Sequence, residues 1–523
     1  MHKKNMFYLL LYMSVVYLVY GLWIAFGSHT GFPLSMSTGI FMPFLADKPL
    51  GEDGYYMLTV AWNLASEHGL FYNYSKPTTG IQPMSTFIYA GLAWLVQWFG
   101  ADKWTFSRVV IIFGVTNLLV FGHVIGSIVR SLCDSKGDSH GQFAYILAFT
   151  CIIFNFWLFR AFTYGLETGI YLTVLAVCIL YTFQLPEKIK IRQLIIFGAL
   201  AGMTGLARID FGIIFFVFLC AQLLYRRLTL IQTLIVGSVA FSFVSPWLIW
   251  VHSVTGHWIP SSGIAQAGLI SVDNTFGRFW IMGKAIIEHM TPWMYTGGLT
   301  TLSVIAFISL IGLIAWVQHQ NGESSSNFSE MKPYRRLWYS WLFSMSTLVL
   351  IYPFFFAATH FYARYSAPII ILLLTLIVIM VSGKVKNKSI QFKTGILLIL
   401  PICFFVWAFL SLHTGRIGNS HSITAKFIYE EFSPLVKVGA FQSGVIGFFN
   451  SNVVNLDGKI DFDALKYLEK GELKRYLDIE QISVIVDWPG YIYGVLGKEY
   501  LDKSWKPCPK EIPNGVSLCF VRK

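Results

Sequence analysis

The chain has 523 residues, of which 55% are hydrophobic and only 13% charged, whereas soluble domains carry about 25% charged residues. This composition excludes an ordinary soluble protein and is typical of a polytopic membrane protein. The net charge of +12 does not indicate a nucleic-acid partner, because the basic residues fall in short loops between apolar runs, as the positive-inside rule requires.

The first apolar run covers residues 6–26 and follows the basic start MHKKN. It is longer than the apolar core of a signal peptide, which is about 7–15 residues. We therefore predict an uncleaved membrane anchor with its basic end in the cytoplasm.

Eleven apolar runs, several of them short, are candidates to cross a membrane, which takes about 20 residues in a helix. They lie at residues 6–26, 109–129, 141–159, 168–184, 193–207, 210–225, 230–251, 298–317, 337–358, 366–383 and 394–412. A further run at 84–99 is ambiguous. The basic clusters all become cytoplasmic only if this run does not cross, and we interpret it as an interfacial helix.

This count predicts an α-helical polytopic membrane domain over residues 1–412, with about eleven transmembrane helices. Residues 27–105 form its first extracytoplasmic loop, which contains interfacial helices. Residues 413–523 change in character, because VKVGAF, NVVNLDG and ISVIVDW are typical of short strands and DFDALKYLEKGELKRYLDIEQ has a helical apolar stripe. We predict a small extracytoplasmic α/β domain there.

Cys508 and Cys519 are the two cysteines of this C-terminal segment, and the ten residues between them, PKEIPNGVSL, are rich in turn formers. An extracytoplasmic compartment is oxidising, so we predict a disulfide between them.

Glu52 and Asp53 open a helical segment of the first external loop, GEDGYYMLTVAWNLASEHG. Acidic residues in a first helical turn complement the helix dipole, which is the structural interpretation. A fixed carboxylate at the outer rim of membrane helices can instead serve as a general base. Both interpretations stay open at the level of residue type.

The longer run GEDGYYMLTVAWNLASEHGLFYNYSKPTTGIQP resembles the first external loop of bacterial GT-C glycosyltransferases. These membrane enzymes use polyprenyl-phosphate sugars and are related to protein O-mannosyltransferases and the lipid A aminoarabinose transferase. Similar motifs follow in the family's order as YGLET at 164–168, LARID at 206–210, GHWIP at 256–260 and HFYARY at 360–365. The tail, with NVVNLDG, also resembles that of many bacterial members.

The resemblance implies a GT-C fold and inverting transfer of a sugar from a polyprenyl-phosphate donor to an extracytoplasmic acceptor, which is a cell-envelope glycan, a glycolipid or a protein. It places the chain in the cytoplasmic (inner) membrane, among membrane lipids, with its active site and C-terminus outside. It implies no cofactor and no metal site. The family usually has two Asp where this chain has Glu52 and Asp53, and its base is usually the first acid. Position therefore favours Glu52 and residue type favours Asp53, toward which we lean slightly.

The departing lipid phosphate gains charge and needs cationic partners. The candidate phosphate-binding residues are Lys76, Arg160, Arg208, His257 and Arg364. Structural alternatives are an ion pair of Arg208 with Asp210, snorkelling of Arg160 and solvation of Lys76. The candidate substrate-contacting residues are Tyr55, Tyr56 and His360, although interface anchoring also explains tyrosines of the first loop.

Two other functions fit the gross topology. A lipid or polysaccharide transporter would place ionisable residues at mid-membrane between internal repeats, and the sequence has no such repeat. A polysaccharide ligase or polymerase is closer in topology, but the acid pair directly after the first span belongs to the transferase pattern.

Overall fold

The computed structural model describes residues 3–26, 49–73, 76–133, 139–266, 275–290, 333–356, 358–385, 389–412, 420–513 and 515–523. The run predicted to span at 298–317 lies outside these residues. Each of the other ten runs coincides, to within a few residues at its ends, with a helix or a pair of helices. Apolar segments form helices because hydrocarbon offers no other partner to backbone N–H and C=O groups.

The membrane domain consists of fifteen described helices. In chain order they are α1 (Lys3–Phe26), α2 (Glu52–Ala65), α3 (Pro83–Trp98), α4 (Lys103–Leu132), α5 (Ser139–Ile153), α6 (Phe156–Thr163), α7 (Thr168–Gln184), α8 (Ile191–Ala207), α9 (Phe211–Leu224), α10 (Leu230–Thr255), α11 (Ser261–Gln266), α12 (Thr275–Met290), α13 (Pro333–Phe355), α14 (Tyr362–Val385) and α15 (Ile390–Leu412).

Five helical segments among the described residues are long and apolar enough to cross a membrane, or six if α5 and α6 form one span with a 60° bend. Four more apolar helices, α7, α8, α9 and α15, have shorter apolar lengths of 10–17 residues. The chain is a multi-pass membrane protein. The bend lies at Asn155, whose side chain accepts a hydrogen bond from the N–H of Leu158 and so begins a new helix.

The ambiguous run at 84–99 forms α3, a 16-residue helix that begins with Pro83 and packs against α2. Its end carries Trp94 and Trp98, which stack with ring centroids 5.6 Å apart and are both exposed. Exposed Trp residues are typical of membrane interfaces. They agree with the placement of α3 at the interface, which stays our prediction.

The C-terminal domain contains a five-stranded sheet in the order β2-β1-β3-β5-β4. The strands are β1 (Val438–Ala440), β2 (Val453–Asn455), β3 (Val484–Asp487), β4 (Trp505–Pro507) and β5 (Leu518–Arg522). β1 pairs in parallel with β2 and β3, whereas β5 is antiparallel to β3 and β4. The three predicted strands are confirmed.

The helices of this domain are α16 (Ser420–Glu431), α17 (Gly444–Phe449), α18 (Phe462–Glu469), α19 (Leu473–Ile479), α20 (Pro489–Leu496) and α21 (Lys498–Ser504). The single helical stripe predicted at 461–481 is two helices. Gly471 between them has φ +68°, a left-handed conformation that glycine adopts at helix ends, and this ends α18.

The predicted disulfide between Cys508 and Cys519 is present. It joins the end of β4 to β5, where the N–H of Cys508 donates to the carbonyl of Cys519 at 3.0 Å. The bridge therefore closes a hairpin whose strands are already paired.

Candidate active site

A cavity of about 260 Å³ lies where α2, the α8–α9 junction, α11, α14 and the C-terminal domain meet. Among the described residues its charged lining consists of Asp53, Glu167, Arg208, Asp210, Arg364 and Lys459. Three cations and three carboxylates thus face one small space, so the cavity is close to neutral when nothing is bound.

Asp53 is the residue of the acid pair that lines the cavity. Its Oδ1 lies 3.6 Å from Nζ of Lys459, and that Nζ is also 3.1 Å from Oδ2 of Asp457. Burial alone would lower the pKa of Lys459, but the carboxylates of Asp457 and Asp53 outweigh burial and hold this pKa above the ordinary lysine value. The ammonium is therefore charged, and the carboxylate of Asp53 stands at the wall of the cavity beside it.

Glu52 has a different environment, because its carboxylate is turned to the C-terminal domain. It accepts hydrogen bonds from the N–H groups of Gly444 at 2.5 Å and Val445 at 2.9 Å. Burial raises the pKa of Glu52 to about 7, in spite of the backbone N–H groups, which favour the charged form. Glu52 does not line the cavity and connects α2 to the first turn of α17.

Further contacts hold α17 and the residues before it against the first loop. The hydroxyl of Tyr56 donates to the carbonyl of Phe441 at 3.3 Å and accepts from the N–H of Ser443 at 3.2 Å. The hydroxyl of Tyr72 donates to the carbonyl of Ser443 at 2.5 Å. The rings of Tyr55 and Phe448 pack 4.9 Å apart within the same buried core. The C-terminal domain is therefore fixed to the helix that carries Asp53.

Arg208 lies in the cavity wall, at the junction of α8 and α9. Its guanidinium forms a forked ion pair with Asp210, in which Nε is 3.1 Å from Oδ1 and Nη2 contacts Oδ2. Nη1 donates to the carbonyl of Arg364 at 3.2 Å, and the side chain is only 4% exposed. Most of its donors are occupied, so the predicted structural pairing with Asp210 is confirmed.

Arg364 is the cavity arginine with donor capacity left. Its Nε is 3.8 Å from Oε1 of Glu167, beyond hydrogen-bonding distance. This Nε is buried and has no hydrogen-bond partner among the described residues. The guanidinium lies 4.7 Å from the ring centroid of Phe361, which orients it from one side.

The other predicted phosphate ligands do not line the cavity. Lys76 is drawn to two carboxylates of the C-terminal domain, at 2.7 Å from Glu480 and 3.0 Å from Asp463. His257 packs edge-on against Phe462, with ring centroids 5.6 Å apart. Arg160 lies in the last turn of α6 and is also outside the lining.

The predicted substrate-contacting residues also include some that line the cavity and some that do not. Tyr56 lines the cavity, whereas Tyr55 is fully buried against Phe448. His360 lies in the short 3₁₀ turn before α14, with its ring 4.0 Å from that of Phe361, and is outside the lining. The structure thus brings together Asp53, Tyr56, Arg208 and Arg364 from the ten predicted residues.

Lys459 is the cavity residue that sequence reasoning missed. It follows the NVVNLDG segment directly, after Gly458 in the left-handed region at φ +77°. Its carbonyl accepts from Oγ of Ser261 at 2.9 Å, and a Cβ on Gly80 would lie 1.8 Å from that same oxygen. A loop of the soluble domain is therefore seated between two parts of the membrane domain and forms one wall of the cavity.

In the part of the chain that the structure describes, no group of three or more His, Cys, Asp or Glu side chains is arranged to hold a metal ion. The cations of the cavity are two arginines and a lysine, residue types that bind phosphate and carboxylate groups through charge-assisted hydrogen bonds.

No protein-family model and no curated protein matches the sequence. Among solved structures, ArnT from Cupriavidus metallidurans bound to undecaprenyl phosphate superimposes with a TM-score of 0.56 and 12% identity, over 97% of both chains. The same protein in the apo state gives a TM-score of 0.47 and 13% identity, over 97% of both chains. The oligosaccharyltransferase of Archaeoglobus fulgidus, tethered to an acceptor peptide, gives 0.46 and 13%, over 98% of this chain and 74% of the other.

The superposition on the first of these, a lipid A aminoarabinose transferase, extends over nearly the whole chain and shows the fold. The chain is a multi-pass α-helical membrane protein of GT-C type with a small C-terminal α/β domain. This confirms the fold that the sequence motifs predicted.

Proposed function

We propose that the protein is an inverting glycosyltransferase that moves a sugar from a polyprenyl-phosphate donor to a hydroxyl group of an extracytoplasmic glycan, glycolipid or protein. The observation that carries the proposal is the cavity itself, in which Asp53 faces a space that also holds Arg364 and Lys459. A base and cations at one small site are the groups that displacement of a phosphate from a sugar requires.

The reaction is a single displacement. The acceptor oxygen forms a bond to C1 of the sugar while the bond from C1 to the phosphate oxygen breaks. The electron pair of that bond leaves with polyprenyl phosphate, and the acceptor proton goes to the carboxylate of Asp53. Attack on the face opposite to the leaving group inverts the configuration at C1.

The roles of the cavity residues follow from their partners. Arg364 has an unmatched buried donor and only a long contact to Glu167, so it serves as a ligand of the donor phosphate. Arg208 holds Asp210 and the carbonyl of Arg364, so it acts by positioning Arg364. Glu52 fixes the C-terminal domain and takes no proton from the acceptor.

The donor class is supported by two independent arguments. ArnT from Cupriavidus metallidurans, a solved structure that shares this fold with a TM-score of 0.56, holds undecaprenyl phosphate. The alternation of basic loops predicts that the first loop and the C-terminal domain lie outside the cytoplasm, where nucleotide sugars are not supplied. We therefore also propose the cytoplasmic membrane as its location, and the reaction as written uses no cofactor.

The function is tested with the full-length protein in lipid nanodiscs and a panel of synthetic polyprenyl-phosphate sugars. Release of polyprenyl phosphate, together with labelled product on candidate acceptors, is the readout. Arg364→Gln should weaken donor binding about 10- to 100-fold, since a hydrogen bond to a charged group contributes about 1.5–3 kcal/mol.

Arg475→Gln is the matched control, because Arg475 is 70% exposed and its ion-pair partner among the described residues is Glu472, the residue just before its own helix. It should bind and react like the wild type. A transporter would move the lipid-linked sugar across the bilayer without breaking its C1–phosphate bond. Movement across the bilayer of closed proteoliposomes, without release of polyprenyl phosphate, would therefore overturn the proposal.

A further inference from the structure

The three cations of the cavity differ in how firmly they are held. Arg208 is 4% exposed and forms a forked pair with Asp210, so it cannot turn to a ligand without breaking several bonds. Arg364 is 17% exposed and Lys459 is 26% exposed, and each has a long pair with a carboxylate of the cavity lining, at 3.8 Å from Glu167 and 3.6 Å from Asp53. These two long pairs are the ones that a bound anion can replace.

A phosphate that enters this cavity must find a cation, and each cation already has a carboxylate partner. Lys459 has the lowest cost of rearrangement, because its ammonium sits on a flexible four-carbon stem. It also keeps Asp457 at 3.1 Å, so it remains paired when it leaves Asp53. Its backbone does not need to move, since its carbonyl stays bonded to Ser261.

We propose that Lys459, supplied by the C-terminal domain, is a ligand of the donor phosphate and leaves Asp53 for that phosphate when the donor binds. This inference rests on the proposed function, because it assigns the lipid-linked phosphate to the same cavity. In the empty site Lys459 is paired with the carboxylate of Asp53. This carboxylate becomes free to accept a proton when Lys459 moves to the donor phosphate. The base then becomes available to the acceptor hydroxyl only in a cavity that holds a donor.

The exchange predicts opposite effects of two substitutions on phosphate binding. Lys459→Gln removes a ligand and should weaken binding about 10- to 100-fold, the range for a hydrogen bond to a charged group. Asp53→Asn removes the carboxylate that competes for Lys459, so it should tighten binding about 3- to 10-fold. If the ion pair between Asp53 and Lys459 is purely structural, Asp53→Asn should instead weaken phosphate binding, because breaking the pair would loosen the cavity wall.

The experiment measures binding of synthetic polyprenyl phosphate to the full-length protein in nanodiscs, with the dephosphorylated polyprenol as the reference ligand. Lys459→Arg keeps the charge and should bind within about threefold of the wild type. Lys426→Gln is the matched control on the same domain, since Lys426 is 47% exposed and pairs with Glu430 one turn away. The double variant Asp53→Asn with Lys459→Gln should bind like Lys459→Gln alone, because the competition no longer exists.

Two outcomes overturn the inference: Lys459→Gln that binds polyprenyl phosphate as tightly as the wild type, or Asp53→Asn that binds it more weakly. If Lys459→Gln disturbs seating of the C-terminal domain, which limited proteolysis would show, the Asp53→Asn result decides, since it leaves Lys459 in place. Failure of the proposed function looks different. In that case the wild type itself binds polyprenyl phosphate no better than polyprenol.

Discussion

The carboxylates of Glu52 and Asp53, adjacent in sequence, belong to two different structural tasks. Glu52 accepts hydrogen bonds from the N–H groups of Gly444 and Val445, whereas Asp53 lines the cavity opposite Lys459. Consecutive helix positions point about 100° apart, so one residue can bind the soluble domain while the next reaches the substrate space. Docking of the C-terminal domain by Glu52 and the proposed proton transfer by Asp53 can therefore be tested with separate substitutions.

Asp53→Asn is expected to lower the rate of sugar transfer by roughly 10²–10⁴-fold, the usual contribution of a general base, because an amide cannot take the acceptor proton. Glu52→Gln keeps one acceptor oxygen for α17 and should lose about tenfold or less. Turnover by purified protein is the measurement, with insertion and folding checked by size-exclusion chromatography. Equal losses in the two variants would contradict the division of roles.

Stability should depend on pH through Glu52. Its folded-state pKa of about 7 lies above the value of 4.5 for an unperturbed Glu, so the folded protein binds this proton more tightly than the unfolded chain. Stability from this group is therefore present below about pH 4.5 and is lost as pH rises to about 7, by roughly 3 kcal/mol at most.

The apparent melting temperature in nanodiscs between pH 5 and 8 checks this prediction. The wild type should lose more stability over that range than Glu52→Gln, which has no proton to release at this position. Parallel curves for the two proteins would show that Glu52 titrates normally in the folded state.

Gly444→Ala should disturb the seating of the C-terminal domain. A Cβ at this position would lie 2.0 Å from the backbone carbonyl oxygen of Glu52, so α17 must move away from α2 at a cost of about 1–3 kcal/mol. Gly490→Ala on α20 is the control, because no described residue lies within 4 Å of an added Cβ there. Protease protection of the domain should fall for the first variant and not for the second. Wild-type protection in Gly444→Ala would mean that the contact is not needed for docking.

Removal of the disulfide between Cys508 and Cys519 should destabilise the C-terminal domain. By the chain-entropy estimate, a bridge that closes so short a loop stabilises by about 3 kcal/mol. The double variant Cys508→Ser with Cys519→Ser should unfold at a lower denaturant concentration, as followed by proteolysis of the domain. Addition of a reductant should lower the stability of the wild type to that of the variant and leave the variant unchanged.

Topology follows from the alternate placement of basic loops. A reporter fused after Lys523 should be extracytoplasmic, and one inserted in the 130–140 loop should be cytoplasmic. Activity of a periplasm-dependent reporter, paired with one that works only in the cytoplasm, distinguishes the two sides. A cytoplasmic C-terminus would mean that residues 84–99 cross the membrane, and the later loops would then exchange sides.

The helices could be predicted from the sequence because long apolar runs have one way to satisfy their backbone in hydrocarbon. The break at Asn155 and the division of the 461–481 stripe were not predicted. Both depend on one residue, a helix cap in the first case and the left-handed Gly471 in the second, and apolar periodicity is insensitive to single residues.

Part of the candidate site could also be predicted from the sequence, but from motifs rather than from apolar runs. Asp53, Arg208 and Arg364 lie in motifs that carry their chemistry in the sequence itself. Lys459 carries no such signal, because its proximity to Asp53 depends on how the C-terminal domain is docked. Lys76 resembled a phosphate ligand equally well, and its position outside the cavity, beside Glu480 and Asp463, also depends on that docking. Residue type and spacing contain no information about these long-range pairings.

The wall formed by the Lys459 loop has a consequence for biogenesis. Asp53 is synthesised about 400 residues before Lys459, so the cavity stays incomplete while the helices between them are inserted into the membrane. The cavity is completed in one step, when the C-terminal domain has folded and its Lys459 loop is seated against the membrane domain.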